Sequence, residues 1–526
     1  MIRFGLLFVL ALMGLGLTGL SVTLSPWWWP PAALTLVLAA IGVHDLLQHK
    51  HSVLRNYPVL GHLRYLLERL RPELQQYFIE RNYDGRPFDR DVRGIVYARA
   101  KGTAAQEAFG TERDVYAPGH EFLVHSITPA HAPEDPPTVR IGGPDCARPY
   151  EMALLNVSAM SFGSLSANAV LALNRGAASG GFSHDTGEGG ISPYHLRHGG
   201  DLVWEIGTGY FGCRTEDGDF DPRQFAERAA YEQVKCVSLK LSQGAKPGSG
   251  GLLPGSKVNA EIARARGVPQ GETVVSPPYH RVFTTPRELV RFLVRMRELS
   301  GGKPVGIKLC VGSRREFLAL CKAMLAQEAT PDFIIVDGSE GGTGAGPLEF
   351  ADHLGQPLTE GLLTVHNALT GAGLRDRVRV GASGKVATGA DIVKLLIQGA
   401  DYTNAARAMM FAVGCIQAQR CHTNTCPVGV TTQDPRRARA LDVADKSVRV
   451  QRFQAATVSS AMKIMGAMGV SDPADLRPDM LRRRTGPASL RSSQELHERL
   501  APGQLLHEAP PRWAEAWEAA DPDRFA

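Results

Sequence analysis

Past Tyr150 the chain alternates between short apolar runs and stretches in which apolar residues recur every three or four positions. Short runs read as strands and the longer period as helices, so the pattern predicts repeated β/α units around a parallel sheet. The predicted strands are Leu154 to Ser161, Gly181 to His184, Leu202 to Ile206, Cys236 to Leu241, Pro304 to Cys310, Phe333 to Asp337, Val378 to Gly381 and Tyr402 to Ala405. Helical periods follow several of them, at Ser164 to Ala178, Arg287 to Leu299, Ser313 to Gln327, Gly389 to Ile397 and Ala408 to Gln419. Such units make up a (β/α)8 barrel of the α/β class.

The start of the chain is patterned differently. From Phe4 to Leu24 run 21 residues without a charge, Ser25-Pro26-Trp27-Trp28-Trp29-Pro30-Pro31 makes a turn, and a second apolar stretch follows from Ala32 to Val43. The first is long enough for a bilayer core of about 30 Å; the second is so only if it continues past His44 and Asp45 to Leu47. No A-x-A cleavage site follows the first stretch, which argues for a transmembrane hairpin and against a cleaved signal peptide. The tryptophans suit the interfacial belt, and Arg3 on one side with Lys50, Arg55, Arg64 and Arg69 on the other puts both ends in the cytoplasm. The expected location is a bacterial-type inner membrane with the catalytic domain facing the cytoplasm. Leu60, Leu63, Leu66, Leu67 and Leu70 then recur at helical spacing with arginines opposite, the pattern of a packing helix beside the membrane.

Four segments are expected: a membrane anchor over 1–50, a helical and irregular segment over 51–150 that packs on the barrel, the barrel over 151–435, and a helical extension over 436–526 that wraps it. The extension carries Arg482-Arg483-Arg484, which reads as a solvated face.

Charge and composition then narrow the chemistry. A net charge of +5 over 526 residues, without an aromatic-and-basic repeat, excludes nucleic acid as a partner. The 8 cysteines are too few for a disulfide scaffold, and Cys146, Cys213, Cys236, Cys310 and Cys321 stand at apolar positions that read as core. Cys415, Cys421 and Cys426 differ: they are spaced C-x5-C-x4-C with Pro427 behind the last, which suits thiolates on an iron–sulfur cluster. A structural zinc site wants four N or S ligands, and only His422 is at hand. Glycine-rich and polar tracts fall where strands end, which is where barrel enzymes keep their chemistry, and the last two loops commonly hold a phosphate.

Several of these tracts occur in one order between about Leu154 and Val470: MSFGSLS from Met160, TGEGG from Thr186, QGAKPG from Gln243, IKL from Ile307, GGTGA from Gly341 and CIQAQRCHTNTCPVGVTTQ from Cys415. Together they resemble the FMN-binding domain of glutamate synthase, and the amino-terminal hairpin is similar to the free-standing, membrane-anchored branch of that family. The resemblance implies an FMN in the barrel, a 3Fe-4S cluster on Cys415, Cys421 and Cys426, and reduction of a 2-imino acid formed from a 2-oxo acid and ammonia or an amine. It assigns the FMN to Ala159, Met160, Ser161, Gln243, Lys308, Asp337, Gly338 and Gly342, while Ser383, Gly384 and the Ala405-Ala406-Arg407 stretch are phosphate candidates by their place in the last two barrel loops. Lys308 falls near the pyrimidine edge, where a positive charge stabilises the anionic reduced ring; a barrel-interior lysine paired with a carboxylate is the other reading of that residue. Gly163, Ser164 and Arg266 are assigned to the substrate, Glu188 to the nitrogen nucleophile or imine proton, and Lys246 to the space between substrate and cluster. No G-x-G-x-x-G unit opens a strand-to-helix turn, so electrons are expected from a ferredoxin or flavoprotein partner.

Departures from the full-length pattern bear on the substrate. No amino-terminal nucleophile cysteine and no glutaminase domain are expected. The family's GEGGQLPG appears as Gly248-Ser249-Gly250-Gly251-Leu252-Leu253-Pro254-Gly255, with Leu252 replacing a glutamine that helps hold 2-oxoglutarate. Arg266 keeps a carboxylate receptor in place. An aspartate-glycine-glycine in the phosphate loop becomes Ser383-Gly384-Lys385, which adds a cation. Three functions follow: a synthase making glutamate or an N-alkylated glutamate, an FMN oxidoreductase for another small acid, and a membrane-bound electron-transfer subunit using FMN and cluster as relays.

Overall fold

The computed structural model describes residues 2–103, 106, 108–133 and 135–525. The chain divides into two units, Met1–Arg90 and Asp91–Ala526.

In the first unit the helices Ile2–Thr23 and Trp29–Leu47 form an antiparallel hairpin. A Cβ at Gly14 would come within 2.7 Å of Leu36 and one at Gly42 within 2.7 Å of Leu7, so glycine at these positions is what lets the helices approach. Ser25 separates them, its hydroxyl accepting from Trp27 N at 3.4 Å. Gly5–Thr23 and Pro26–Leu47 are long and apolar enough to cross a membrane. The second helix reaches Leu47, the length the sequence required, because the Asp45 carboxylate is satisfied inside the protein. It is fully buried, accepts from Val59 N at 2.9 Å and pairs with His62 Nε2 at 3.0 Å. The Arg3 side chain, used to orient the hairpin, lies outside the described residues. The expected leucine helix forms as Gly61–Leu74, and its leucine face is exposed.

In the second unit eight parallel strands close into a barrel in chain order. They are β1 Leu155–Val157, β2 His184–Asp185, β3 Leu202–Ile206, β4 Val234–Lys240, β5 Val305–Leu309, β6 Phe333–Asp337, β7 Arg379–Ser383 and β8 Tyr402–Ala405. Strand β8 pairs back onto β1 through Thr403 and Leu155. All eight predicted strands are present, three of them with the predicted limits.

Two corrections concern chain direction. Strand β1 ends at Val157 and not at Ser161, because the chain turns there: Ser161 O accepts from Ser164 N and Leu165 N, and Gly163 takes φ +102°. The helix after β8 spans Arg407–Ala412 and does not continue to Gln419. Gly414, Gln417 and Gln419 all have positive φ, so the chain unwinds directly ahead of and through the cysteine segment.

Side chains alternate along a strand, and here the alternation sorts the barrel interior into two levels. At the floor, Val203, Cys236, Phe333, Ile335 and Tyr402 form one apolar cluster with Ile141 and Met152. The latter two belong to the antiparallel strands Thr138–Ile141 and Tyr150–Ala153, which plug that end. Two residues further along come Glu205, Lys308 and Asp337, with Lys240 on β4, all buried. These four charges stand toward the end where the strands finish.

The last segment, expected to be helical, contains strands as well. The helix Val443–Ala467 packs on Ala167–Gly180, where a Cβ at Gly176 would come within 2.7 Å of Val450. The strands Leu481–Gly486 and Ser489–Ser492 then form a three-stranded antiparallel sheet with Glu121–Leu123, and the Arg482–Arg484 run lies on the middle strand. The helix Pro511–Ala519 ends the segment, with Arg314 4.3 Å above the buried Trp513 ring. Four of the five scattered cysteines are buried as predicted; Cys146 is half-buried, its thiol donating to Gly302 O at 3.4 Å.

Candidate active site

Lys240 and Lys308 are register partners on adjacent strands β4 and β5, so two ammonium groups are buried side by side. Each therefore needs a carboxylate of its own. Lys308 Nζ bonds Glu205 Oε2 at 3.0 Å, and Lys240 Nζ pairs with Glu188 Oε2 at 2.8 Å. Burial opposes the charge on Lys308, but Glu205, Asp337 and Asp185 outweigh it and hold the ammonium above its ordinary value. Asp185 is also pushed up, which favours its neutral form: burial and the neighbouring Glu205 raise its carboxyl well above the usual range. Its Oδ1 accepts from Gly187 N at 2.9 Å. Lys308 is thus paired with a carboxylate at the polar end of the barrel interior.

Glu188 stands in the loop after β2, enclosed by two other loops. A Cβ on Gly207 or Gly251 would come within 2.7 or 2.5 Å of its carboxylate. Burial raises its pKa, but Lys240, Arg266 and Lys246 more than offset that and hold it below the ordinary carboxylate value. Gln243 Oε1 accepts from the same Lys240 at 3.1 Å, and His280 Nε2 bonds the Lys240 carbonyl at 2.9 Å.

Lys246 and Arg266 belong to the long connection between β4 and β5, which folds over the barrel mouth with the strands Leu252–Leu253 and Val274–Val275 and the helix Ala260–Arg266. Both cations are buried, and among the described residues neither has a carboxylate at ion-pair distance. Burial pushes Arg266 down to about 10. Its Nη2 reaches Ser161 Oγ and Phe162 O, each at 3.3 Å, its Nε has no hydrogen-bond partner, and the guanidinium stacks 5.0 Å over Phe211. Leu252 lies next to Gly251 and is partly exposed.

The residues assigned to the flavin cluster at the strand ends. Gly187, at φ +64°, abuts the Met160–Ser161 backbone so closely that a Cβ would come within 2.5 Å of Ser161 N. Ala159 is in that same turn. Asp337 Oδ2 accepts from Gly244 N at 2.8 Å, fixing the loop that carries Gln243, and a Cβ at Gly244 would collide with Gly338 O. Gly338 N donates to Ser383 O at 2.9 Å, tying β6 to the Ser383-Gly384-Lys385 turn. Ser383 Oγ lies 3.2 Å from Ser158 Oγ. Ala406 and Arg407 start the next helix, and Arg407 Nη2 donates to Glu340 O at 2.6 Å beside Gly342. Gly187 and Gly244 let these loops pack against one another without a side chain between them, and a serine, a lysine and an arginine at the ends of β7 and β8 fit a phosphate.

The cysteine segment follows β8. Among the described residues no three His, Cys, Asp or Glu side chains converge on a single metal ion. Burial, with Cys421 and Cys426 adding to it, pushes Cys415 up to about 12, and Gln417 N points at its sulfur at 3.4 Å. For Cys426, burial is outweighed by the N–H groups of Thr431, Val428 and Val430 and the Thr431 hydroxyl, and its thiol is lowered. Lys257 stands beside Cys421 and Cys426, buried, with no carboxylate at ion-pair distance among the described residues; its Nζ donates to Ser164 O at 3.1 Å. Gln433 joins the same loop, its Nε2 donating to Gly163 O at 3.0 Å and Leu165 O at 2.7 Å.

A family profile described as "Conserved region in glutamate synthase" matches residues 145–471. The glutamate synthase large subunit-like protein YerD of Bacillus subtilis is 38% identical over 482 residues, covering 84% of this chain and 91% of YerD. The chain belongs to the glutamate synthase family. An archaeal glutamate synthase [NADPH] of Methanocaldococcus jannaschii is 31% identical over 61% of this chain, which spans 60% of that relative's length. A mandelate oxidase structure with (S)-2-phenylpropionate is 14% identical, with a TM-score of 0.42, over 76% of this chain and 98% of that one.

For this glutamate synthase family member the sequence reading passed over Asp185, Glu205, Lys240, Lys257 and His280. The available signal was charge inside apolar runs: Glu205 in LVWEI and Lys240 in VSLKL. A parallel strand buried on both faces is otherwise continuously apolar, so a charge there marks the polar end of the barrel interior.

Proposed function

We propose that this glutamate synthase-type oxidoreductase reduces a 2-imino acid, formed from a 2-oxo acid and ammonia or an amine, at the open end of its barrel. The observation that carries the reading is the Glu188–Lys240 pair beside Arg266 and Lys246, two buried cations without carboxylates of their own. Leaving buried cations uncompensated is costly, so the pocket is built to receive an anion. Arg266 takes the substrate carboxylate, flanked by Gly163 and Ser164, and Lys246 adds a second positive charge. Glu188, anionic at neutral pH, accepts a proton from the nitrogen nucleophile as water leaves to form the imine. Reduction then adds one hydride and one proton.

Ala159, Met160, Ser161, Gln243, Lys308, Asp337, Gly338, Gly342, Ser383, Gly384, Ala406 and Arg407 are proposed to hold FMN, which supplies the hydride when bound. Cys415, Cys421 and Cys426 are proposed to hold a 3Fe-4S cluster, with Lys257 as the buried cation beside it. A ferredoxin or flavoprotein is the proposed donor. The hairpin is proposed to span the inner membrane with the barrel on the cytoplasmic side. With 2-oxoglutarate the product is glutamate or an N-alkylglutamate; Leu252, next to the glycine that abuts Glu188, favours a second reading in which another small acid is used.

The test is anaerobic purification of the detergent-solubilised protein with flavin and iron analysis, then reoxidation of the reduced flavin. Reoxidation by 2-oxoglutarate together with ammonia or methylamine, and by neither alone, is the expected result. A loaded protein that ignores both reagents overturns the substrate. Arg266→Met is expected to raise KM for the oxo acid roughly 10- to 100-fold, the loss of one or two charge-assisted bonds, with a smaller change in kcat. Cys421→Ser is expected to lose iron and retain flavin, and to abolish reduction by the protein donor while dithionite still reduces the flavin.

A further inference from the structure

The first unit carries an apolar surface that the hairpin does not account for. On the helix Gly61–Leu74, Leu63, Leu66, Leu67, Leu70 and Leu74 fall within an arc of about 100° when successive residues are advanced by the helical period. All five are 41–57% exposed, and the next turn continues the stripe with Tyr77 and Phe78, 58% and 82% exposed. Contiguous apolar surface of this extent is uncommon on a soluble protein and marks a contact site. The opposite arc is charged: Arg64 pairs with Glu68 at 2.8 Å, and Arg69 and Arg71 stand free of the stripe.

We infer that residues 61–79 form a surface-lying helix whose leucine stripe is immersed in the headgroup and acyl boundary of an anionic bilayer. The inference rests on the transmembrane reading of the hairpin. Two observations select lipid as the occupant. The helix starts at the end of a membrane-competent helix and is fastened there: Asp45 on the second hairpin helix holds Val59 N at 2.9 Å and His62 at 3.0 Å, and a Cβ at Gly61 would come within 2.9 Å of Leu54. The elbow therefore fixes the stripe at the level where the second span ends. Charge agrees, since residues 50–81 hold six Lys and Arg (50, 55, 64, 69, 71, 81) against three Glu (68, 73, 80). A basic amphipathic helix of this kind binds an anionic interface through apolar burial and electrostatic attraction together.

The test uses the full-length protein in phosphatidylglycerol-containing proteoliposomes, with p-benzoylphenylalanine in place of Leu12, Leu66, Glu68 or Leu70, one site at a time. After irradiation, lipid adducts are read by mass spectrometry. Adducts at positions 66 and 70, with loss of signal to background at 68, are the expected result. Adducts at 12 without adducts at 66 and 70, or cross-links from 66 and 70 to a second copy of the chain, overturn the inference while leaving the hairpin reading intact. No adducts at 12 defeat the hairpin reading and the inference with it.

Discussion

Replacing Glu188 by Gln is expected to lower turnover by about 10² to 10⁴, the range of a lost general base, while flavin content stays unchanged. Gln preserves the shape between Gly207 and Gly251, so the pocket does not collapse. What it removes is the anion facing Lys240, with Arg266 and Lys246 close enough to feel the loss. Because Glu188 is held below the ordinary carboxylate value, it is ionised at neutral pH, and the acid limb of the wild-type rate profile is expected to fall only below that value. Single-turnover reoxidation of reduced protein measures this directly. A variant that turns over at the wild-type rate removes Glu188 from the chemistry.

Lys308→Met is expected to have the larger effect on the fold. It strands Glu205 in the barrel interior beside Asp185, and breaking a buried pair from one side typically costs about 3–5 kcal/mol. The double variant Lys308→Met with Glu205→Gln removes both charges and is expected to regain much of that loss, read as the thermal midpoint in detergent. A double variant no more stable than Lys308→Met shows that Glu205 is not the charge Lys308 neutralises. The pH sign also follows. The raised Lys308 ammonium contributes stability that is fully present below the ordinary lysine value, so it adds no pH dependence between 6 and 9. Asp185 carries a dependence of its own: its raised carboxyl stabilises while protonated, fully so below the ordinary carboxylate value, and the contribution is lost as pH rises through the raised value.

The barrel was legible because strands buried on both faces read as unbroken apolar runs, and Leu202–Ile206, Phe333–Asp337 and Tyr402–Ala405 have the predicted limits. Ends failed where glycine and hydrogen bonds turn the chain, as at Gly163 and Gly414, because those depend on neighbouring loops and not on the run itself. Within the candidate site, charges inside strands were visible but their partners were not. Lys308 meets Glu205 across 103 positions of sequence, and Lys257 meets the cysteine segment only because the β4–β5 connection folds back over the mouth. Likewise, the helical period marked the leucine stripe but not its exposure, which depends on what the rest of the chain leaves uncovered.

The three-stranded sheet outside the barrel sets an order for folding during synthesis. Barrel strands pair with their neighbours in sequence, so most of the barrel can assemble as the chain emerges. Glu121 must instead wait for Arg483, some 360 residues later, and the closing pair β8–β1 joins Thr403 to Leu155. Contacts at such separation are slow to form and leave edges exposed meanwhile. A nascent chain that stalls ahead of Leu481 therefore carries the strand Glu121–Leu123 without its partner, and the ribosome releases the finished fold only after the segment bearing the arginine run has been translated.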